Sequence, residues 1–213
     1  SCSKVSEAAR IFSPCCSVWL NGRKLAEDVE EVLKAGATFI QLREKNSTYE
    51  ETLELAKEIK ALTDKFNVPF VIDDNVEIAK AIDADGVHIG QSDTEAERAR
   101  QILGEDKIVG VSAGNLKEAL EAEKNGADYI GIGAMFPTDT KKDHTNITFE
   151  QAKEICEAVN IPVVAIGGIN KDNILKLKGT GIDGVAVISA IFAQNDRFNA
   201  TRELLELSKE VVQ

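Results

Sequence analysis

The sequence predicts an α/β protein in which parallel strands are covered by helices. Two observations carry that expectation. Short apolar runs alternate with longer charged segments whose apolar residues recur three or four apart. The junctions between them also repeat. Ala35-Gly36-Ala37-Thr38-Phe39, Ala84-Asp85-Gly86-Val87, Gly126-Ala127-Asp128-Tyr129 and Gly181-Ile182-Asp183-Gly184-Val185 share one pattern. A glycine or alanine closes a helix, a small residue and often Asp follow, and the next apolar run begins.

The elements follow in order. Ile11–Val18 is the segment available for a first strand, short or irregular because it is rich in Cys and Ser and contains Pro14. Lys24–Lys34 has helical spacing and Phe39–Leu42 is the next strand. In Tyr49–Phe66 the apolar Leu53, Ala56, Ile59, Ala61, Leu62 and Phe66 form one stripe between Glu and Lys. Phe70–Ile72, Gly86–Ile89, Ile108–Val111, Tyr129–Ile132, Val163–Ile166 and Gly184–Ile188 are rich in Val and Ile and bounded by Gly, Asp or Pro, as strands buried on both faces are. Helices are expected near Asn75, from Asp93, and over Asn115–Asn125, Glu150–Val159 and Arg197–Val212. Seven strands are clear. This count fits a (βα)8 barrel or a doubly wound sheet. No linker divides residues 1–213, so one domain is expected, with 1–18 an atypical N-terminal segment.

Composition excludes several functions. With 213 residues, 43% hydrophobic and 29% charged, the chain is long and apolar enough for a real core. No run approaches the ~20 apolar residues of a membrane helix. A net charge of −11 argues against nucleic acid or an anionic membrane as partner. The cysteines Cys2, Cys15, Cys16 and Cys156 lack zinc spacing and read as free thiols. Ser1–Leu20 is interrupted by Arg10 and Pro14 and makes a poor signal peptide, so a cytoplasmic location is expected.

Ligands of parallel α/β folds bind beyond the C-terminal ends of the strands. Gln41, Arg43 and Lys45 follow one run, and alternation points them to one side. Asp73-Asp74, His88 through Asp93, Ser112, Phe136 through Lys142, Gly167-Gly168 and Ser189 follow the others. Each has a plain structural reading. Arg43 and Lys45 are equally a solvated pair, Asp73-Asp74 reads first as a cap for the helix near Asn75, and Asp93 suits a cap as well. His88 reads first as a hydrogen-bonded structural histidine and His144 as a solvated one. Gly167-Gly168 is harder to dismiss, because paired glycines between a strand and a helix let backbone N–H groups cradle a phosphate. Gly168 and Ser189 therefore suit a monophosphate, and Arg43, Lys45 and Lys141 a more highly charged anion. Asp74 and Asp93 suit Mg2+, which prefers carboxylates with phosphate oxygens and water. Two phosphate-bearing substrates and one magnesium imply transfer chemistry with pyrophosphate leaving.

Five blocks in register carry a resemblance: Gln41-Leu42-Arg43-Glu44-Lys45, Asp85 to Gln91 with Asp93, Gly110-Val111-Ser112, Phe136-Pro137-Thr138 with Thr140-Lys141, and Ala165-Ile166-Gly167-Gly168-Ile169. From about Trp19 to the C-terminus the chain resembles the thiamine phosphate synthase family of thiamine biosynthesis. The resemblance implies a compact, single (βα)8 TIM barrel. It implies a transferase that joins 4-amino-2-methyl-5-hydroxymethylpyrimidine diphosphate to thiazole phosphate, giving thiamine phosphate and pyrophosphate. Carried over, Gln41, Leu42, Arg43, Glu44, Lys45, Asp73, Ser112 and Lys141 would bind the pyrimidine diphosphate. Arg43, Lys45, Ser112 and Lys141 would act in catalysis, and Asp74 and Asp93 would be the magnesium ligands. Thr138, Asp139, Thr140, Gly168, Ile188 and Ser189 would bind the thiazole phosphate. The implied partners are these small phosphorylated molecules, and a homo-oligomer is compatible with them.

Three positions depart from the family pattern. Asp73 stands where Asn is usual, Gly114 where His is frequent, and Ser17-Val18 where the first strand normally ends in Thr-Asp. Two other readings remain. A thiazole tautomerase of the same fold would have no diphosphate to bind, so Arg43, Lys45, Asp74, Asp93 and Lys141 would be unexplained. A non-catalytic protein that binds thiamine phosphates is the other.

Overall fold

The computed structural model describes residues 11–15, 23–90, 93–138 and 146–212. The strands are β1 (Ile11–Cys15), β2 (Phe39–Leu42), β3 (Phe70–Asp73), β4 (Gly86–Ile89), β5 (Ile108–Ala113), β6 (Tyr129–Ile132), β7 (Val163–Ile166) and β8 (Gly184–Ala186). Each pairs in parallel with the next, as in Gln41 with Val71 and Val111 with Ile130. β1 pairs with both β2 and β8, which closes the sheet into a barrel. Ser17-Val18, where the family's Thr-Asp would stand, lies outside the described residues.

The helices are α1 (Leu25–Lys34), α2 (Tyr49–Phe66), α3 (Val76–Ala81), α4 (Asp93–Leu103), α5 (Leu116–Lys124), α6 (Phe149–Ala158), α7 (Ser189–Phe192) and α8 (Arg197–Val211). Their ends are chemically marked. Thr48 with Glu51 opens α2, and Thr148 with Gln151 opens α6, each as a reciprocal capping box. After Gly167-Gly168 the sequence predicts an α-helix, but the chain forms a single 3₁₀ turn, Ile174–Leu177. The reason lies in two side chains. Asn170 accepts the Asp172 N–H at 2.9 Å, and Asn173 accepts the Asn170 N–H at 2.8 Å. Such bonds compete with the helical ladder.

Period-two alternation divides the apolar residues into two layers. One set, including Ile40, Leu42, Ile72, Val87, Val109, Ile132 and Val185, packs outward against the helices. The other set fills the ring: Phe39, Val71, Ile108, Tyr129, Val164 and Ala186, with Ile166 beside them. Space inside is made by glycine. A Cβ on Gly110 would lie 2.1 Å from the Tyr129 ring, so only glycine admits the tyrosine there.

The repeated junction Asp has a structural task at the N-terminal rim. The Asp85 carboxylate accepts the Phe70 N–H at 3.0 Å, Asp128 that of Val109 at 2.9 Å, and Asp183 that of Val163 at 2.8 Å. Each Asp returns its own N–H to the carbonyl of the same residue. The start of one strand is thus stapled to the lead-in of the next, and its backbone groups are paired.

Candidate active site

The alternation that sends Phe39 into the ring sends Gln41 and Arg43 in above it, toward the C-terminal rim. Gln41 is buried and donates through Nε2 to Asp73 Oδ1 at 2.6 Å. Arg43 Nε lies 3.3 Å from Asp73 Oδ2. Asp73, the last residue of β3, thus holds Gln41 of β2 and Arg43 just beyond that strand's end. Its extra negative charge is balanced by Arg43. Lys45 and Glu44 follow on the loop, Lys45 exposed and Glu44 accepting from Ser47 at 3.2 Å. Leu42 points the other way, into the layer beneath the helices, so only its backbone faces the rim.

The capping role read for Asp73-Asp74 is not what the chain adopts. Asn75 is the cap of α3, accepting the Ile78 N–H at 2.9 Å. Asp74 is exposed, takes a left-handed backbone (φ +59°) and donates its N–H to the His88 carbonyl at 2.8 Å. That bond fixes it beside the end of β4. Asp93 opens α4 beyond the same end, so the two acids follow adjacent strands on one rim. The Asp93 side chain lies outside the described residues.

Buried Tyr129 and half-buried His88 form a column that the residue pattern alone did not assign to the site. His88 Nδ1 lies 2.8 Å from the Tyr129 hydroxyl and Nε2 lies 2.9 Å from Ser112 Oγ. Burial, and then the negative charge of Asp73, push the Tyr129 hydroxyl well above its ordinary range, so it stays protonated. The signal was present in the flanking Val87 and Ile89, which face outward and leave His88 to face in. Gly131 makes room for it, since a Cβ there would lie 3.2 Å from His88 Cε1.

Across the rim, Gly168 has φ +66°, and a Cβ on it would meet the Pro137 carbonyl oxygen at 2.5 Å. The glycine turn therefore packs directly on the Phe136-Pro137 backbone that leads to Thr138. Asn173 Nδ2 donates to the Gly168 carbonyl at 2.8 Å and holds the turn. Ile188 precedes α7 and Ser189 is its first residue, where a helix presents N–H groups without intrahelical acceptors. Asp139, Thr140 and Lys141 lie outside the described residues. No cluster of three or more His, Cys, Asp or Glu able to hold a metal occurs among the described residues. Nor is any of their helices long and apolar enough to cross a membrane.

This barrel, with a polar rim above an apolar plug, has close relatives. The family model described as thiamine monophosphate synthase matches residues 13–191. A thiamine-phosphate synthase of Clostridium tetani is 54% identical over 185 residues, covering 87% of this chain and 88% of that protein. One from Clostridium novyi is 53% identical over 190 residues, covering 89% and 93%. The solved structure of a thiamine phosphate pyrophosphorylase from Pyrococcus furiosus matches with a TM-score of 0.88 and 42% identity, over 98% of this chain and 100% of that one. With motifs, architecture and overall identity in agreement along nearly the full length, the chain belongs to the thiamine monophosphate synthase family.

Proposed function

We propose that this chain is a transferase that condenses 4-amino-2-methyl-5-hydroxymethylpyrimidine diphosphate with thiazole phosphate, releasing pyrophosphate. Residues 1–213 would act as one (βα)8 domain in the cytoplasm. The observation that carries the reading is the meeting of Gln41, Arg43 and Asp73 on the rim to which the strands bearing Ser112, the Gly168 turn and Ser189 also lead. That rim offers one site for a diphosphate and another for a monophosphate.

The chemistry assigned to these residues is charge handling. The C–O bond to pyrophosphate breaks, the electron pair leaves with the oxygen, and a pyrimidine-stabilised cation remains. The thiazole nitrogen then supplies the pair for the new C–N bond. Arg43, Lys45, Ser112 and Lys141 would receive the charge growing on the leaving group. Gln41 and Asp73 hold Arg43 and the pyrimidine end in place. Thr138, Asp139, Thr140, Gly168, Ile188 and Ser189 would seat the thiazole phosphate so that its nitrogen reaches the cation before water does.

Magnesium fits the donor set. Asp74 is exposed on the rim, and Asp93 begins the helix after the neighbouring strand. Two carboxylates completed by phosphate oxygens and water suit this ion. When bound, it would neutralise charge on the diphosphate.

The test is turnover with both precursors and magnesium. Stoichiometric thiamine phosphate and pyrophosphate are expected. Thiazole isomerisation without coupling would instead identify a tautomerase, and tight product binding without turnover a binding protein. Lys141→Ala should cut turnover far more than it lowers the melting temperature, and Asp93→Ala should raise the magnesium needed for half-maximal rate.

A further inference from the structure

Beneath the rim, the column Ser112–His88–Tyr129 crosses three adjacent strands inside the ring. Its lower hydroxyl sits in the apolar plug with Phe39, whose ring meets that of Tyr129 edge-on at 5.9 Å. Tyr129 is 1% exposed and so cannot turn to water. Gly110 and Gly131 leave the space that the phenol and the imidazole occupy. We propose that His88 is a positioning residue that aims the Ser112 hydroxyl at the anion bound above it, and that Tyr129 sets the His88 tautomer. This rests on the assignment of Ser112 to the diphosphate.

Donor order through the imidazole decides where the Ser112 proton points. A neutral imidazole has one N–H and one lone pair, so its two hydrogen bonds must run in a single sense through the ring. In the proposed order the protonated Tyr129 donates its O–H to His88 Nδ1, 2.8 Å away. Nε2–H then donates to Ser112 Oγ. The Ser112 proton is left to point upward, as an anion requires. In the opposite sense Ser112 would donate downward and show the diphosphate only lone pairs, which repel it.

The experiment is a double-mutant cycle read as kcat/KM for the pyrimidine diphosphate. Ser112→Ala and His88→Leu should each lower it about tenfold, the scale of one lost hydrogen bond. The double variant should be no worse than Ser112→Ala alone. His88→Gln, which keeps an N–H near the Nε2 position, should recover most of the loss. Nitrogen-15 spectra of labelled histidine should show the Nε2–H tautomer of His88, lost in Tyr129→Phe. If His88→Leu fails to fold, Tyr129→Phe takes its place in the cycle. Losses that multiply to about a hundredfold overturn the positioning role while leaving Ser112 on the diphosphate. Full activity in Ser112→Ala overturns both. The Nδ1–H tautomer overturns the donor order and the proposal with it.

Discussion

Asp73 shows how one side chain is read correctly only with its partners. As a departure from the usual Asn it brings a negative charge next to a proposed diphosphate site. The structure puts that charge on Gln41 and Arg43 at 2.6 and 3.3 Å. Asp73→Asn should retain the Gln41 bond, free Arg43, and lower KM for the diphosphate about three- to tenfold, the scale of one charge acting across a partly screened site. Steady-state kinetics check it, and a raised KM would show that Asp73 is needed to place Arg43. Cys156 gives a second residue-scale prediction. Burial first, and then the charge of Asp183, push its thiol from 9.0 up to about 12. Because the folded state favours the protonated thiol, its contribution to stability is whole below pH 9 and is lost as pH rises toward 12. At pH 8 the native thiol should react with a disulfide reagent at least about a hundredfold more slowly than a free cysteine. Peptide mapping after timed alkylation measures this.

At the scale of the element, strands and helices are held by different devices. α2 has the bounds its sequence predicts because a capping box opens it and Asn67 closes it in a left-handed conformation. Each of these signals is local. The strands are short, and their starts are stapled by Asp85, Asp128 and Asp183 from the following junction. Asp183→Ala should cost about 1–3 kcal/mol, because the Val163 N–H loses its acceptor inside the fold. Its kcat/KM should hardly move, since the staple lies on the rim opposite the proposed site. Urea unfolding and an activity assay on the same preparation separate the two effects. The segment after β7 fails as a helix for a reason the apolar spacing does not contain. The side-chain bonds of Asn170 and Asn173 take over the backbone's partners.

At the scale of the molecule, stability and chemistry occupy different layers of one ring. The apolar plug of Phe39, Val71, Ile108, Tyr129, Val164 and Ala186 supports the polar residues above it. Phe39→Ala empties part of this plug and removes the edge-on contact with Tyr129. A loss of about 3–5 kcal/mol is expected, seen as a lower urea midpoint at unchanged slope. A slope that fell with it would mean that the barrel is already partly open before unfolding.

The sequence by itself determined the α/β class, the alternation that turns Gln41 and Arg43 to one side, and the rim that bears the proposed chemistry. These are consequences of period and spacing, which are local. Only the tertiary structure decided that Asp73 pairs with Arg43, that the junction aspartates clasp the preceding strand, and that Tyr129 stands under His88 in the gap left by Gly110. Those partners lie between 15 and 41 residues apart. No periodicity in the chain encodes which of them meet; strand order and register do, and these exist only once the sheet has closed.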